Sequence, residues 1–251
     1  MKKYLIALSV LAFFLYVPSA KGITITEDFA SYSELPSIIG QGGPGNWGDV
    51  WGTKQGDPTF VFDSGSGKLS ATGVPSCVFR PFNTMLSSID ANGISFDIKQ
   101  TNASVQNVPY GMFSTYDSGF TRAIVIGFIN FGGNLQLHGI TTTGASGTVL
   151  ANGLSTGTYY TVTVTQVDFD NDRYKAKVGA GAESDWIAFV DSNTVSEFSA
   201  VSLMQTNFAS SDYATNYDTI SISGVPEPTT CALFGFGLIG LLYSRRKSKK
   251  K

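Results

Sequence analysis

The sequence is short of the side chains from which most metal sites and catalytic triads are built. It has one histidine, His138, and two cysteines, Cys77 and Cys231. Structural zinc sites take four His or Cys ligands, which this chain cannot supply. A Ser-His-Asp arrangement needs its histidine beside an activated serine, and no Gly-x-Ser-x-Gly elbow occurs. Cys231 lies in an apolar tail, so Cys77 has no intramolecular disulfide partner in the rest of the chain. In the run Pro75-Ser76-Cys77-Val78-Phe79-Arg80 it reads as a buried structural thiol. Basic charge is scarce away from the ends. Lys54, Lys68, Arg80, Lys99, Arg122, Arg173, Lys175 and Lys177 are all there is between residues 23 and 224, and the 19 acids all precede residue 228. So acidic a body does not neutralise phosphates, which excludes a nucleic-acid partner. The apolar spacing of an amphipathic helix is missing between residues 23 and 224.

Two apolar ends frame that body. At the N-terminus Lys2 and Lys3 precede an apolar run over residues 4–17, and Ala20 and Gly22 give small-x-small spacing. This pattern predicts a signal peptide over residues 1–22, handled by the Sec machinery and removed by signal peptidase after Gly22. At the C-terminus Pro226, Glu227 and Pro228 precede an apolar run over residues 229–243 and a basic end that begins Arg245, Arg246, Lys247. Prolines on both sides of Glu227 disfavour helix and leave an extended tripeptide that a processing enzyme can grip. A helix over residues 229–243 rises to only about 23 Å, against a hydrocarbon core of about 30 Å, so it is predicted to anchor the chain transiently. Arg245, Arg246 and Lys247 mark its cytoplasmic side.

Motif, apolar run and basic end, in that order, resemble the PEP-CTERM sorting signal of Gram-negative bacteria. The resemblance implies that Pro226, Glu227 and Pro228 are read by an exosortase, a membrane-embedded transpeptidase-like enzyme. It further implies loss of the tail and transfer of the ectodomain to the cell surface or an extracellular matrix.

The body, residues 23–224, alternates apolar and polar residues with period 2. Ile94, Phe96 and Ile98 form one such set, Tyr160, Val162 and Val164 a second, and Tyr174, Ala176 and Val178 a third. Residues 123–129 are apolar throughout, as in a central strand covered on both faces. Gly132-Gly133 turns that strand into one in which Leu135 and Leu137 point inward and His138 faces solvent beside Gln136. Further strands are expected at 23–26, 59–62, 69–72, 76–80, 186–190, 200–205 and 219–223. The first and last of these, Ile-Thr-Ile-Thr and Ile-Ser-Ile-Ser, are natural sheet neighbours. Many short strands with Gly- and Asn-rich turns predict an all-β antiparallel sandwich. The opening Ile25-Thr26-Glu27-Asp28-Phe29, the loop Gln41-Gly-Gly-Pro-Gly-Asn-Trp47, the strand Tyr159-Tyr-Thr-Val-Thr-Val164 and the closing Tyr217-Asp-Thr-Ile-Ser-Ile222 resemble a concanavalin A/laminin-G-like jelly roll. That family implies frequent carbohydrate or matrix binding, with hydrolases as a minority.

Two groups could carry chemistry. Trp47, Trp51, Tyr110 and Tyr116 offer flat faces for stacking on a pyranose, and equally offer bulk to plug one end of a sandwich. Asp168, Asp170 and Asp172 place oxygen ligands at alternate positions, as a Ca²⁺ loop does, yet also suit a hairpin turn. A glycoside hydrolase would need two of these carboxyls about 5 Å apart across a sugar site. The sequence therefore predicts a non-enzymatic, exported surface or matrix protein with a structural or adhesive role and no required cofactor. A lectin-like module that binds exopolysaccharide or another glycan is the alternative, and a hydrolase of the same fold comes third.

Overall fold

A computed structural model describes residues 22–29, 32, 37–41, 46–55, 59–63, 65–70, 76–102, 109–141, 147–191, 195–205 and 214–226. The expected signal helix, the C-terminal helix, Glu227, Pro228, Arg245, Arg246 and Lys247 lie outside these residues. Among the described residues no helix is long and apolar enough to cross a membrane.

The strands are β1 (Ile23–Glu27), β2 (Gly52–Gln55), β3 (Thr59–Asp63), β4 (Ser66–Ser70), β5 (Ser76–Gln100), β6 (Tyr110–Tyr116), β7 (Arg122–Phe131), β8 (Asn134–Gly139), β9 (Thr148–Leu154), β10 (Tyr160–Asp168), β11 (Arg173–Val178), β12 (Ile187–Ala188), β13 (Phe198–Gln205) and β14 (Ala214–Pro226). The pairings between them are antiparallel. β5 is shared by two halves. Its first part pairs with β2 and β13, and the order continues through β6, β7 and β8 to β9. Its second part lies between β14 and β10, with β11 and β12 beyond β10, and β1, β4 and β3 on the β14 side.

The halves face each other across one core. Phe96 of β5 stacks on Phe113 of β6 at 4.1 Å between centroids. Tyr217 of β14 donates to the Met112 carbonyl at 3.0 Å, and Tyr174 of β11 donates to the Val125 carbonyl at 3.2 Å. Each tyrosine buries its ring and satisfies its hydroxyl on the opposite sheet, as a buried phenol must.

The period-2 sets fall as expected, with Ile94, Phe96, Ile98, Val162, Val164, Tyr174 and Ala176 all in the core. Residues 123–130 of β7 are buried on both faces. One face joins the main core, and the other packs Val125 against Met112 and Ile140. β1 pairs with β14 from Ile23 opposite Gly224 to Glu27 opposite Ile220. Cys77 is buried, its Sγ 3.0 Å from the Ser202 hydroxyl.

Three features differ from the sequence expectation. β5 runs unbroken from Ser76 to Gln100, where two separate strands were expected. It passes Pro81 at a register shift against β13 and bends at Asn92, whose φ is 57°. Gly93 is required at that bend, because a Cβ there would fall 2.6 Å from the carbonyl oxygens of Asp90 and Ser223. β6, where no strand was expected, is a strand whose residues are all buried, so it shows no alternation. His138 faces the interior, at 3% exposure. Its ring lies between the Gln136 side chain, 2.7 Å from Nε2, and Gly147, to whose carbonyl the Nδ1–H donates at 3.2 Å.

Candidate functional site

The four aromatic candidates for glycan stacking are all core residues. Trp51 and Tyr110 are 0% exposed, Tyr116 2% and Trp47 9%. Both tryptophans pack among other aromatic rings. Trp51 packs on Phe29 and Phe60, and Trp47 on Phe82. They close over a buried ion pair between Arg80 and Glu27. Glu27 also accepts from the Tyr32 hydroxyl at 2.6 Å, the Trp51 indole at 3.2 Å and the Phe29 backbone N–H at 2.9 Å. Arg80 donates to the Asp49 carbonyl at 3.0 Å and lies 4.5 Å from the centre of the Trp47 ring. Burial, and then Glu27, holds the Tyr32 phenol well above its ordinary range, so it stays a neutral donor. Burial likewise pushes Tyr116 up to about 12, which removes it as a general base near neutral pH.

The acidic triplet is a hairpin turn. Phe169–Asn171 forms a single 3₁₀ turn between β10 and β11, with Asp168 as its N-cap and Asp172 in the left-handed region at φ 49°. The Asp168 carboxylate accepts from the Asn171 side chain at 2.9 and 3.1 Å, and from Arg173 Nε at 2.9 Å. These partners, Asn171 foremost, hold its pKa below the usual carboxylate range. Asp170 points to solvent. The three carboxylates therefore do not gather, and among the described residues no three His, Cys, Asp or Glu side chains are placed to hold a metal. An Asp168 already paired with a guanidinium is also poorly suited to protonate a leaving group.

Beside this turn lies a shallow groove of about 470 Å³. It opens because the β10–β5 ladder ends at Val164 opposite Ile94, after which β10 shifts register against β11. Residues 87–91 of β5, and residues 165–168 of β10 with Phe169 of the turn, are left apart as its walls. Ser87, Ile89, Gln166, Asp168 and Asp170 line it, and Trp186 forms part of its rim. Trp186 is 37% exposed and is held by cations, with the Arg173 guanidinium 4.4 Å and the Lys175 ammonium 5.1 Å from its ring centre. Arg173 thus ties the aromatic ring to Asp168. Sequence reasoning put Trp186 at the head of a strand and gave it no role. The signal was its position ten residues beyond the alternating Tyr174–Ala176 face, past a turn, on a wet edge that only the fold reveals.

The third place of interest is the end of β14. Val225 lies opposite Ser88 and Pro226 opposite Leu86, so the first proline of the expected sorting element is part of the sheet.

Residues 224–247 match the PEP-CTERM protein-sorting motif. No curated protein matches the chain. Among solved structures, a mutant of the alginate lyase Aly36B in complex with alginate trisaccharide superposes with a TM-score of 0.54 at 10% identity, over 81% of this chain and 98% of that one. Peanut lectin gives a TM-score of 0.45 at 11% identity, over 80% of this chain and 97% of its own. A carbohydrate esterase of the Shiga toxin-encoding bacteriophage phi24B gives 0.48 at 12% identity, over 70% of this chain and 90% of its own. At 10% identity the likeness to the alginate lyase is one of fold alone. An all-β antiparallel body thus ends in a PEP-CTERM sorting motif, and that motif implies an exported protein directed to the cell surface through an exosortase.

Proposed function

We propose that this is a non-enzymatic structural or adhesive protein of the cell surface or its extracellular matrix. The N-terminal 22 residues route it across the inner membrane, the C-terminal run holds it there briefly, and an exosortase-type enzyme releases the body. The observation that carries this reading is the sorting motif at residues 224–247, whose first residues are the last of β14 in an all-β antiparallel body. The test is a comparison of the wild-type chain with Pro226→Ala/Pro228→Ala in a host that possesses the sorting system. The expected result is a wild-type body without its tail in the extracellular fraction, and a variant with an intact C-terminus in the inner membrane, both read by mass spectrometry. A wild-type chain that keeps residues 229–251 overturns the reading.

The groove beside Trp186 favours a second, compatible activity, contact with a glycan. An aromatic plate at the rim, with Gln166 and Asp170 as hydrogen-bonding neighbours, is the equipment such contact requires. Trp186→Ala is expected to weaken retention on the producing cell's exopolysaccharide by about tenfold or more, the scale of an aromatic anchor, with an unchanged melting temperature. Equal retention of variant and wild type removes this second activity. Incubation with the same polysaccharide is expected to release no new reducing ends.

A further inference from the structure

We infer that the sorting motif is latched into the folded body, and that the processing enzyme reaches it only when the last rungs of β14 peel away from β5. The inference rests on the sorting function proposed above and concerns how the motif becomes available. The matched motif begins at residue 224, and residues 224–226 are the final residues of β14. Gly224 lies opposite Ile89, Val225 opposite Ser88 and Pro226 opposite Leu86. Neighbouring strands run about 4.8 Å apart, which leaves no room for an enzyme on the β5 side. The approach is close at Gly224, where an added Cβ would fall 2.1 Å from the Ser88 carbonyl oxygen.

Enzyme and body must also meet at close quarters. The four residues 227–230 before Cys231 span at most about 14 Å fully extended. A membrane-embedded enzyme that grips Pro226, Glu227 and Pro228 as extended chain therefore works against the edge of the sheet.

The same geometry makes release feasible. Among the described residues β1 covers β14 only as far as Gly224, so Val225 and Pro226 are paired there on the β5 side. On the far side of β5, β10 has already departed at Ile94 and the groove begins. The ladder over residues 224–226 is thinnest at the Val225–Ser88 rung, between Gly224, which β1 still covers, and Leu86, which β13 pairs through Phe198, and it is interrupted by register shifts at Ile222/Gly224 and Val225/Pro226. A strand end whose ladder is broken by register shifts on both sides of its last rungs opens locally without global unfolding. When opening is fast relative to cleavage, processing follows the population of the opened form.

The experiment is a reversible latch in the full chain, expressed in a host with the sorting system. Ser88→Cys/Val225→Cys joins the paired residues by a disulfide in the oxidising exterior, with Cys231→Ser to prevent mispairing. The control disulfide is Thr163→Cys/Lys177→Cys, which bridges paired residues of β10 and β11 away from the motif. Release of the body is expected to fall by about tenfold or more in the β5–β14 variant, to recover on reduction, and to stay normal in the control. Insertion of Gly-Ser-Gly-Ser between Val225 and Pro226 in the latched variant is expected to restore release under oxidising conditions, which separates sequestration from misfolding. Normal release from the oxidised β5–β14 variant overturns the inference and leaves the sorting function standing, as does failure of the insertion to restore it. Absence of release from the wild type removes the sorting function, and the latch with it.

Discussion

Arg80 carries its charge at 1% exposure, and every feature of its surroundings answers to that fact. Glu27 neutralises it, Asp49 accepts from its Nε, and Trp47 covers its face. Burial pulls its pKa below the ordinary arginine range, opposed by Tyr32 and Glu27. Arg80→Met leaves the Glu27 carboxylate buried without its counter-charge, and is expected to cost about 3–5 kcal/mol in urea unfolding. Adding Glu27→Leu recovers only part of this, since Tyr32 and Trp51 then lose their shared acceptor. His138 makes a pH-dependent contribution. Burial holds its pKa below the ordinary 6.5. The folded chain then binds fewer protons than the unfolded chain as pH falls through that value, so stability is full above 6.5 and declines below it. Asp168 and Glu183, also lowered, act further down, below their ordinary 3.8 and 4.5. The expected result is that His138→Asn flattens the fall in the urea midpoint between about pH 7.5 and about pH 5.5. An unchanged slope removes His138 as its source. Neither residue could be ranked from the sequence: Arg80 looked like one of a few body cations and His138 like a wet strand residue. Their burial is set by strands β1 and β9, which approach from elsewhere in the chain.

At the scale of elements, legibility followed alternation. β10 and β11 bury one face each, and the period-2 pattern located them; the Asp-rich segment between them is the turn its composition suggested. That turn satisfies the Asp168 carboxylate through Asn171 and Arg173 and leaves Asp170 in solvent, so added calcium is expected to leave the melting temperature of the protein where chelator leaves it. A calcium-dependent rise would place an ion there. β6 and β9 were not legible, for opposite reasons. β6 is buried on both faces and carries Ser114 and Thr115 among its aromatics, so no wet face marks it. β9 is largely exposed along an edge, so no dry face marks it. The length of β5 was hidden by Pro81 and Gly93, which read locally as breaks and serve in the sheet as a register shift and a bend.

At the scale of the molecule, the pairing of β1 with β14 brings residue 22 and residue 226 to the same strand pair, so both ends of the body leave it together. The tail variants and the disulfide latch belong to this scale, because they ask whether the body and its address are independent. The sequence by itself determined the class of fold, the pairing of first strand with last, and the sorting motif, because each depends on residues contiguous in the chain: a period of 2, a matched Ile-x-Ile-x pair, a proline-flanked acid before an apolar run. Only the tertiary structure decided which aromatics are available to a ligand. Trp47 and Trp51 lie buried over a charge pair drawn from β1 and β5, while Trp186 stands at a groove that exists only because β10 parts from β5. It also decided that the motif starts inside a strand, since the rungs that hold residues 224–226 come from residues 86–89, more than a hundred positions earlier. Contacts of that separation leave no pattern in a local stretch of sequence, because burial and pairing are properties of the surface a residue meets and not of the residue alone.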